Sequence, residues 1–318
     1  MARAATKDTT IAIAVFVCLA GLFDGVKNNN IPPTTTHMSK KRVFLLTGAT
    51  GAIGGQIAAK LAALEGVHLI LAVRSAERGA AVASTLQLGA GSACSVELFD
   101  LSAPQHAPAF AQRIRDAYGR LDVLVNNAAC VPKTQQMATV HGRKVDLQFT
   151  VNVLSYYALM TAFADLLAES GGGGGAAGGE PSRVVNVASN YAGGLVLDDL
   201  SFAARGYDSN AAYRQSKQGD RMLTAAASEL LAPRGVAVNA CHPGVVTSAL
   251  LRGLGMAQGW NSAAEGAATP AFLAASPACA GATGKYWQDS REKACPFGRD
   301  IAACRALWAA CAGMLAAE

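Results

Sequence analysis

Tyr213 and Lys217 stand four residues apart in Tyr213-Arg214-Gln215-Ser216-Lys217, a segment of helical character. That spacing sets the phenol and the ammonium on one helix face. An ammonium beside a phenol favours the phenolate and draws its pKa down from ~10 toward working pH, as a proton donor and acceptor requires. A Tyr-x-x-x-Lys string is common by chance, so its companions decide. Ser189 follows the apolar run Arg183–Val187, where its hydroxyl can hydrogen-bond a substrate carbonyl. Asn152, in a helical stretch after another apolar run, can bind a water that links the lysine to solvent. Singly these residues read as a core aromatic, a strand-end cap and a polar residue inside a helix. Together they describe acid–base chemistry on a carbonyl or hydroxyl group.

Such a constellation needs a scaffold that delivers residues far apart in sequence to one edge. From Val43 onward, short runs rich in Val, Ile and Leu alternate with Ala-rich stretches of helical length. The runs are Val43–Thr47, Val67–Val73, Ser95–Phe99, Val123–Asn126, Val184–Val187 and Val236–Cys241. Being apolar throughout, they predict strands of a parallel sheet buried on both faces. The alternation implies a single doubly wound α/β domain over residues 39–318, with helices flanking the sheet. A glycine-rich stretch at 171–179 reads as a loop insertion, since the alternation resumes directly beyond it.

The first predicted strand runs into Thr47-Gly48-Ala49-Thr50-Gly51-Ala52-Ile53-Gly54 and then an Ala-rich helix. Glycines there permit a tight turn and close backbone approach to a pyrophosphate, whose charge the free N–H groups of the helix start can hold. This is the Rossmann-type placement of a dinucleotide site. The second strand ends without the acidic residue that would bind a ribose 2′-hydroxyl, and Arg74 stands there instead, suited to a 2′-phosphate. NADP(H) is therefore the expected cofactor. Asp100, after the third strand, is placed to meet the adenine edge, and Asn126-Asn127-Ala128-Ala129 lets the backbone pass beneath the ribose.

With these motifs in order, the chain from about Lys41 to Trp308 resembles the short-chain dehydrogenase/reductase family, and within it the retinol dehydrogenase-like branch. The strings that carry the likeness include Leu147-Gln148-Phe149-Thr150-Val151-Asn152, Val185-Asn186-Val187-Ala188-Ser189, Ala212-Tyr213-Arg214-Gln215-Ser216-Lys217, His242-Pro243-Gly244-Val245-Val246 and Gly284-Lys285-Tyr286-Trp287. The resemblance implies Tyr213 as general acid/base, Lys217 lowering its pKa and binding the nicotinamide ribose, Ser189 orienting the carbonyl, and Asn152 holding the relay water. It implies Pro243-Gly244 as the turn beside the nicotinamide and Ser248 as a contact to the carboxamide. Thr47, Gly48, Ile53, Gly54, Arg74, Asp100, Asn126 and Ala128 would line the remaining cofactor surface, with Gly51 in the turn. Three positions depart from the family pattern: Ala52 replaces the middle glycine of the turn, Ala129 a glycine after Asn-Asn-Ala, and Ser155 a glycine after the catalytic Asn.

Composition bounds the rest. The 318 residues are 51% hydrophobic and 15% charged, which excludes a disordered or highly charged chain. A net charge of +5 with 6% aromatics and no dense Lys/Arg tract gives no basis for a nucleic-acid partner. The eight cysteines form no C-x-x-C pair and no Cys/His zinc spacing, so no metal site is expected. They read as reduced, mostly buried thiols, with Cys279, Cys295, Cys304 and Cys311 able to support a disulfide only in an oxidising compartment. Residues 1–38 form an N-terminal extension whose apolar stretch Ile11–Phe23 is shorter than the ~20 residues of a spanning helix. It reads as a targeting segment or an anchor allowing membrane association, or as a stretch upstream of a natural start at Met38. The compartment stays open, cytoplasmic or membrane-associated.

The segment Ala249–Trp260, apolar and punctuated by glycines, follows the Pro-Gly turn and predicts a lid over a lipophilic substrate of retinal, steroid or aldehyde type. The stretch Asp300–Leu315 predicts a packing helix, with docking on a membrane or a second subunit, as in a homodimer, as its other use. The expected activity is NADP(H)-dependent interconversion of a lipophilic carbonyl and its alcohol. The alternative from another class is a protein that senses or scaffolds through NADP(H) without turnover, which the alanines at 52 and 129 leave open.

Overall fold

The computed structural model describes residues 41–171 and 180–316. The stretch Ile11–Phe23 and nearly all of the glycine-rich insertion lie outside the described residues. Chain order is β1 (Arg42–Thr47), α1 (Ala52–Ala62), β2 (Val67–Val73), α2 (Ala76–Ser84), β3 (Ala93–Leu98), α3 (Ala107–Tyr118) and β4 (Val123–Asn126). A hairpin follows, β5 (Met137–Val140) and β6 (Arg143–Asp146), then a bent helical run of α4 (Leu147–Phe149), α5 (Ser155–Ala162) and α6 (Ala164–Ser170). The second half is β7 (Ser182–Val187), α7 (Ser209–Leu231), β8 (Val236–His242), α8 (Ala249–Gly253), α9 (Ala263–Gly266), α10 (Ala268–Ala275), β9 (Tyr286–Gln288), β10 (Arg291–Lys293) and α11 (Ile301–Leu315).

Eight strands form one sheet in the order β3-β2-β1-β4-β7-β8-β9-β10, parallel except for the last. Side chains alternate across a strand, so each apolar run feeds two cores. Leu45, Ile70, Leu124, Val184 and Val238 pack against α3, α5, α7 and α11, through Phe110, Leu159, Leu223 and Leu307. Phe44, Leu46, Leu69, Leu71 and Val185 pack against α1 and α10, through Ile57, Leu61 and Leu273. The doubly wound architecture is as the apolar runs imply. The strand order reverses between β1 and β4, and the crevice at their C-terminal ends is where such sheets take ligands.

The six predicted strands are all present, and β2 and β4 have the expected ends. The third runs Ala93–Leu98 rather than Ser95–Phe99: as an edge strand it is only half-buried, and apolarity marks its start poorly. The hairpin β5–β6 and the short strands β9 and β10 are additions, too brief or too polar to stand out as runs. Helix α11 buries Cys304, Leu307 and Cys311 along one stripe, with Ala303, Ala310 and Leu315 half-buried against the same core. All seven described cysteines are free. No single described helix is long and apolar enough to cross a membrane.

Candidate active site

The crevice is lined first by the glycine turn. Gly48 has φ +72°, and a Cβ there would lie 2.7 Å from the Ala128 Cα. A Cβ on Gly54 would lie 2.0 Å from the Gly48 carbonyl oxygen, so β1 and α1 meet this closely only through glycine. Gly51 begins α1 with no side-chain cap, and the first turn of the helix carries no acidic residue. Its amide donors and positive dipole end are thus left for an anion. Ala52, the residue that departs from the glycine pattern, is exposed at the first helical position and forms part of the cavity wall.

This cavity, of about 440 Å³, runs from Gly48, Gly51, Ile53 and Gly54 past Arg74 and Arg78 to Asp100 and Ala128. Ser75 caps α2 by accepting the Arg78 amide at 3.2 Å. Gly79 then sits so near β2 and β3 that a Cβ would meet Val96 at 2.6 Å. This tight docking leaves Arg78, in the first turn of α2, lining the same cavity as Arg74, a second guanidinium that the sequence reading missed although the Ser75 cap signals a helix start there. Asp100 accepts the Ser102 amide at 2.9 Å and keeps its place on the rim.

Two expected cofactor residues are not at the surface. Thr47 is fully buried, and its hydroxyl accepts the amides of Asn127 (2.9 Å) and Ala128 (3.1 Å), stapling β1 to β4. Asn126 is fully buried and donates to the Asn186 side chain at 2.9 Å. Both hold the floor together rather than line it. Asn127, not singled out from the sequence, lines the cavity and donates to the Thr47 carbonyl at 3.0 Å.

A second cavity, of about 500 Å³, adjoins the first through Ile53, Asn127, Ala129, Ser248 and Leu250. Ser189, Tyr213 and Lys217 open into it from β7 and α7, as do Pro243 and Gly244 from the turn after β8. Gly244 has φ +89°, and Asn261 accepts the next amide, of Val245, at 2.9 Å, which fixes that turn. Ser248 caps α8 by accepting the Leu251 amide at 3.1 Å. Of the expected lid segment, Leu250, Leu251, Leu254 and Met256 line the cavity, whereas Trp260 stands outside with 75% of its surface exposed.

Ser189 accepts the Tyr191 amide at 3.0 Å, leaving its hydroxyl proton to donate. Lys217 is buried, and its Nζ donates to the Val187 carbonyl at 2.9 Å and to Asp220 at 2.8 Å. One ammonium proton is left for the site. The expectation that Lys217 brings the Tyr213 phenol down toward neutrality is not met in this state. Burial pushes the phenol above its ordinary value, Lys217 and Ser189 pull it down, and Asp220 pushes it up again. Asn152 also differs from expectation. It sits in a π turn, Thr150–Leu154, with its side-chain oxygen accepting the Cys130 amide at 2.8 Å and its nitrogen donating to the Cys130 carbonyl and the Ser216 hydroxyl, each at 3.1 Å. With both ends engaged, the side chain clamps the loop after β4 to α7.

Glycine turn, switch-point crevice and Ser-Tyr-Lys cluster define a dinucleotide-dependent oxidoreductase, and the chain belongs to the short-chain dehydrogenase/reductase family, whose model, short chain dehydrogenase, matches residues 42–259. Within the family it falls in the retinol dehydrogenase-like branch. It is 33% identical over 311 residues to retinol dehydrogenase 13 of Mus musculus, spanning 90% of this chain and 87% of that one. It is also 33% identical over 315 residues to polyprenol dehydrogenase of Mus musculus, spanning 94% and 90%. Among solved structures, an uncharacterised protein from Mycobacterium paratuberculosis matches with a TM-score of 0.67 at 26% identity, over 87% of this chain and 94% of that one. The RhlG/NADP active-site complex of Pseudomonas aeruginosa matches at 0.58 and 27% identity, over 77% and 93%.

Proposed function

We propose that the enzyme interconverts a lipophilic carbonyl, of retinal, steroid or aldehyde type, with its alcohol, using NADP(H). The observation that carries this reading is the junction of the two cavities. One holds a glycine turn with two arginines at its far end; the other is walled by aliphatic side chains around Ser189 and Tyr213. Relatives named for retinol and polyprenol, and a neighbour solved with NADP, support it. The residues fit the cofactor: uncapped amides at α1 suit a pyrophosphate, and Arg74 with Arg78 suits a 2′-phosphate. When bound, the nicotinamide supplies or accepts a hydride at its C4.

The chain's own groups do the rest. Ser189 donates to the carbonyl oxygen and holds it toward Tyr213. Tyr213 gives its phenolic proton to that oxygen in reduction and takes it back in oxidation. Lys217 stabilises the phenolate left behind, and its spare proton would bind the ribose of the cofactor. The aliphatic lid excludes water, which strengthens each of these polar contacts.

The test is NADPH and NADH consumption against retinal, long-chain aldehydes, steroid ketones and aromatic ketones, with Tyr213→Phe in parallel. Turnover with NADPH, lost by a factor of about 100 or more in Tyr213→Phe while NADPH still binds, is the expected result. A phenylalanine variant as active as the wild type refutes the role of Tyr213. Binding of NADPH without turnover of any member refutes the substrate class. Fractionating the full chain beside residues 38–318 tests membrane association through the N-terminal extension.

A further inference from the structure

Asp220 lies three residues beyond Lys217 on α7, and the reaction as described makes no use of it. Its carboxylate is fully buried, one oxygen 2.8 Å from the Lys217 ammonium and the other without a hydrogen-bond partner. A buried carboxylate with an idle oxygen is costly, so its presence beside the catalytic tyrosine asks for a reason. The titratable groups around the pair are Tyr213 on the same helix, Tyr156 from α5, Cys241 from β8 and Cys130 from the loop after β4. Tyr286 from β9 faces Tyr213 in turn, raised by burial, with Arg221 of α7 stacked over its ring at 3.7 Å. Tyr156 donates its proton to the Ala128 carbonyl, and burial pushes Tyr156, Cys241 and Cys130 all upward. Above the midpoint of Asp220, which burial pushes up to about 7, the cluster contains one cation, Lys217, and one anion, Asp220.

Counting charge gives the consequence. Ionising Tyr213 beside a neutral Lys217–Asp220 pair leaves a net negative charge in a buried site. Without Asp220, the same ionisation would leave the cluster neutral, with the phenolate as the partner of Lys217.

We propose that Asp220 is a positioning residue that balances Lys217 and holds Tyr213 as a phenol to higher pH, extending the range over which it can protonate a carbonyl oxygen. This rests on Tyr213 as the proton donor. Burial also raises the Asp220 carboxyl against the pull of Lys217, in line with its lack of solvent and of a second partner.

The experiment is a pH titration of the Tyr213 phenolate absorbance in the full chain, taken as each protein minus its Tyr213→Phe counterpart. Wild type is compared with Asp220→Asn, which keeps shape and an acceptor for Lys217 but removes the charge. The midpoint is expected to fall by about one pH unit or more in the variant. An equal or higher midpoint, or a phenol that ionises in neither protein before alkaline unfolding, overturns the proposal. If Asp220→Asn does not fold, Asp220→Ser is titrated in the same way. No turnover is needed, so a wild type inactive on every carbonyl refutes the proposed function while the titration still judges Asp220. With an active substrate, kcat/KM for reduction should decline at lower pH in Asp220→Asn by the same interval; a uniform loss at every pH overturns the proposal.

Discussion

Replacing Arg74 and Arg78 by alanine, singly and together, tests whether their end of the crevice receives a 2′-phosphate. A guanidinium hydrogen-bonded to a phosphate contributes about 1.5–3 kcal/mol when shielded from water. Both side chains are exposed, so solvent and salt screen the contact, and about 1 kcal/mol each is the appropriate scale. That corresponds to about a fivefold rise in the dissociation constant for NADPH per arginine, and about 30-fold for the double variant. NADH has no phosphate there, and its constant should stay within about twofold. The assay is a fluorescence titration of both cofactors at low and moderate salt. A double variant that weakens NADPH and NADH alike, or that keeps the wild-type preference, refutes the placement. Loss of the preference only at low salt would show that the arginines act through long-range charge rather than contact.

Two further outcomes follow from the same geometry. Gly54→Ala sets a methyl 2.0 Å from the Gly48 carbonyl oxygen, so the turn must shift; a destabilisation of about 1–3 kcal/mol in urea melts and a loss of NADPH binding are expected. His242 is buried at the end of β8, and burial lowers its pKa to about 4. Since the folded value lies below the unfolded ~6.5, its contribution is complete above pH 6.5 and is lost as pH falls toward 4, a span of about 3 kcal/mol. Asp146, held up to about 6 by burial, acts in the opposite sense. The quantity to measure is therefore the difference in unfolding free energy between wild type and His242→Asn at pH 7 and pH 4.5, and a difference that does not change with pH refutes the assignment.

What the sequence discloses here depends on how local the determinant is. Strands β2 and β4 are apolar except for His68 and Asn126 because both faces are covered, so their limits show in the residue types. The hairpin Met137–Asp146 carries exposed and charged residues, and β9 has three residues; neither makes a run that periodicity can detect. In the site, Ser189, Tyr213 and Lys217 fall where strand ends and helix spacing put them. Thr47 and Asn126 turn inward because each satisfies buried polar groups on a neighbouring strand, a need visible only once β1, β4 and β7 are side by side. Asp220 passes unnoticed for the same reason: a carboxylate on a helix is ordinary until its burial is known. The contacts of Asn152 are equally non-local, since Cys130, 22 residues away, meets both ends of its amide.

The packing of α11 against α7 bears on when the enzyme becomes competent. The helix that presents Tyr213 and Lys217 has its opposite side covered by Cys304, Leu307 and Cys311, all made after every other element of the fold. A nascent chain that has completed the sheet still shows water the apolar back of α7. Domains generally fold as units during synthesis. Here α11 closes the unit, and a chain cut before Ile301 would contain Ser189, Tyr213 and Lys217 yet lack the apolar support behind α7.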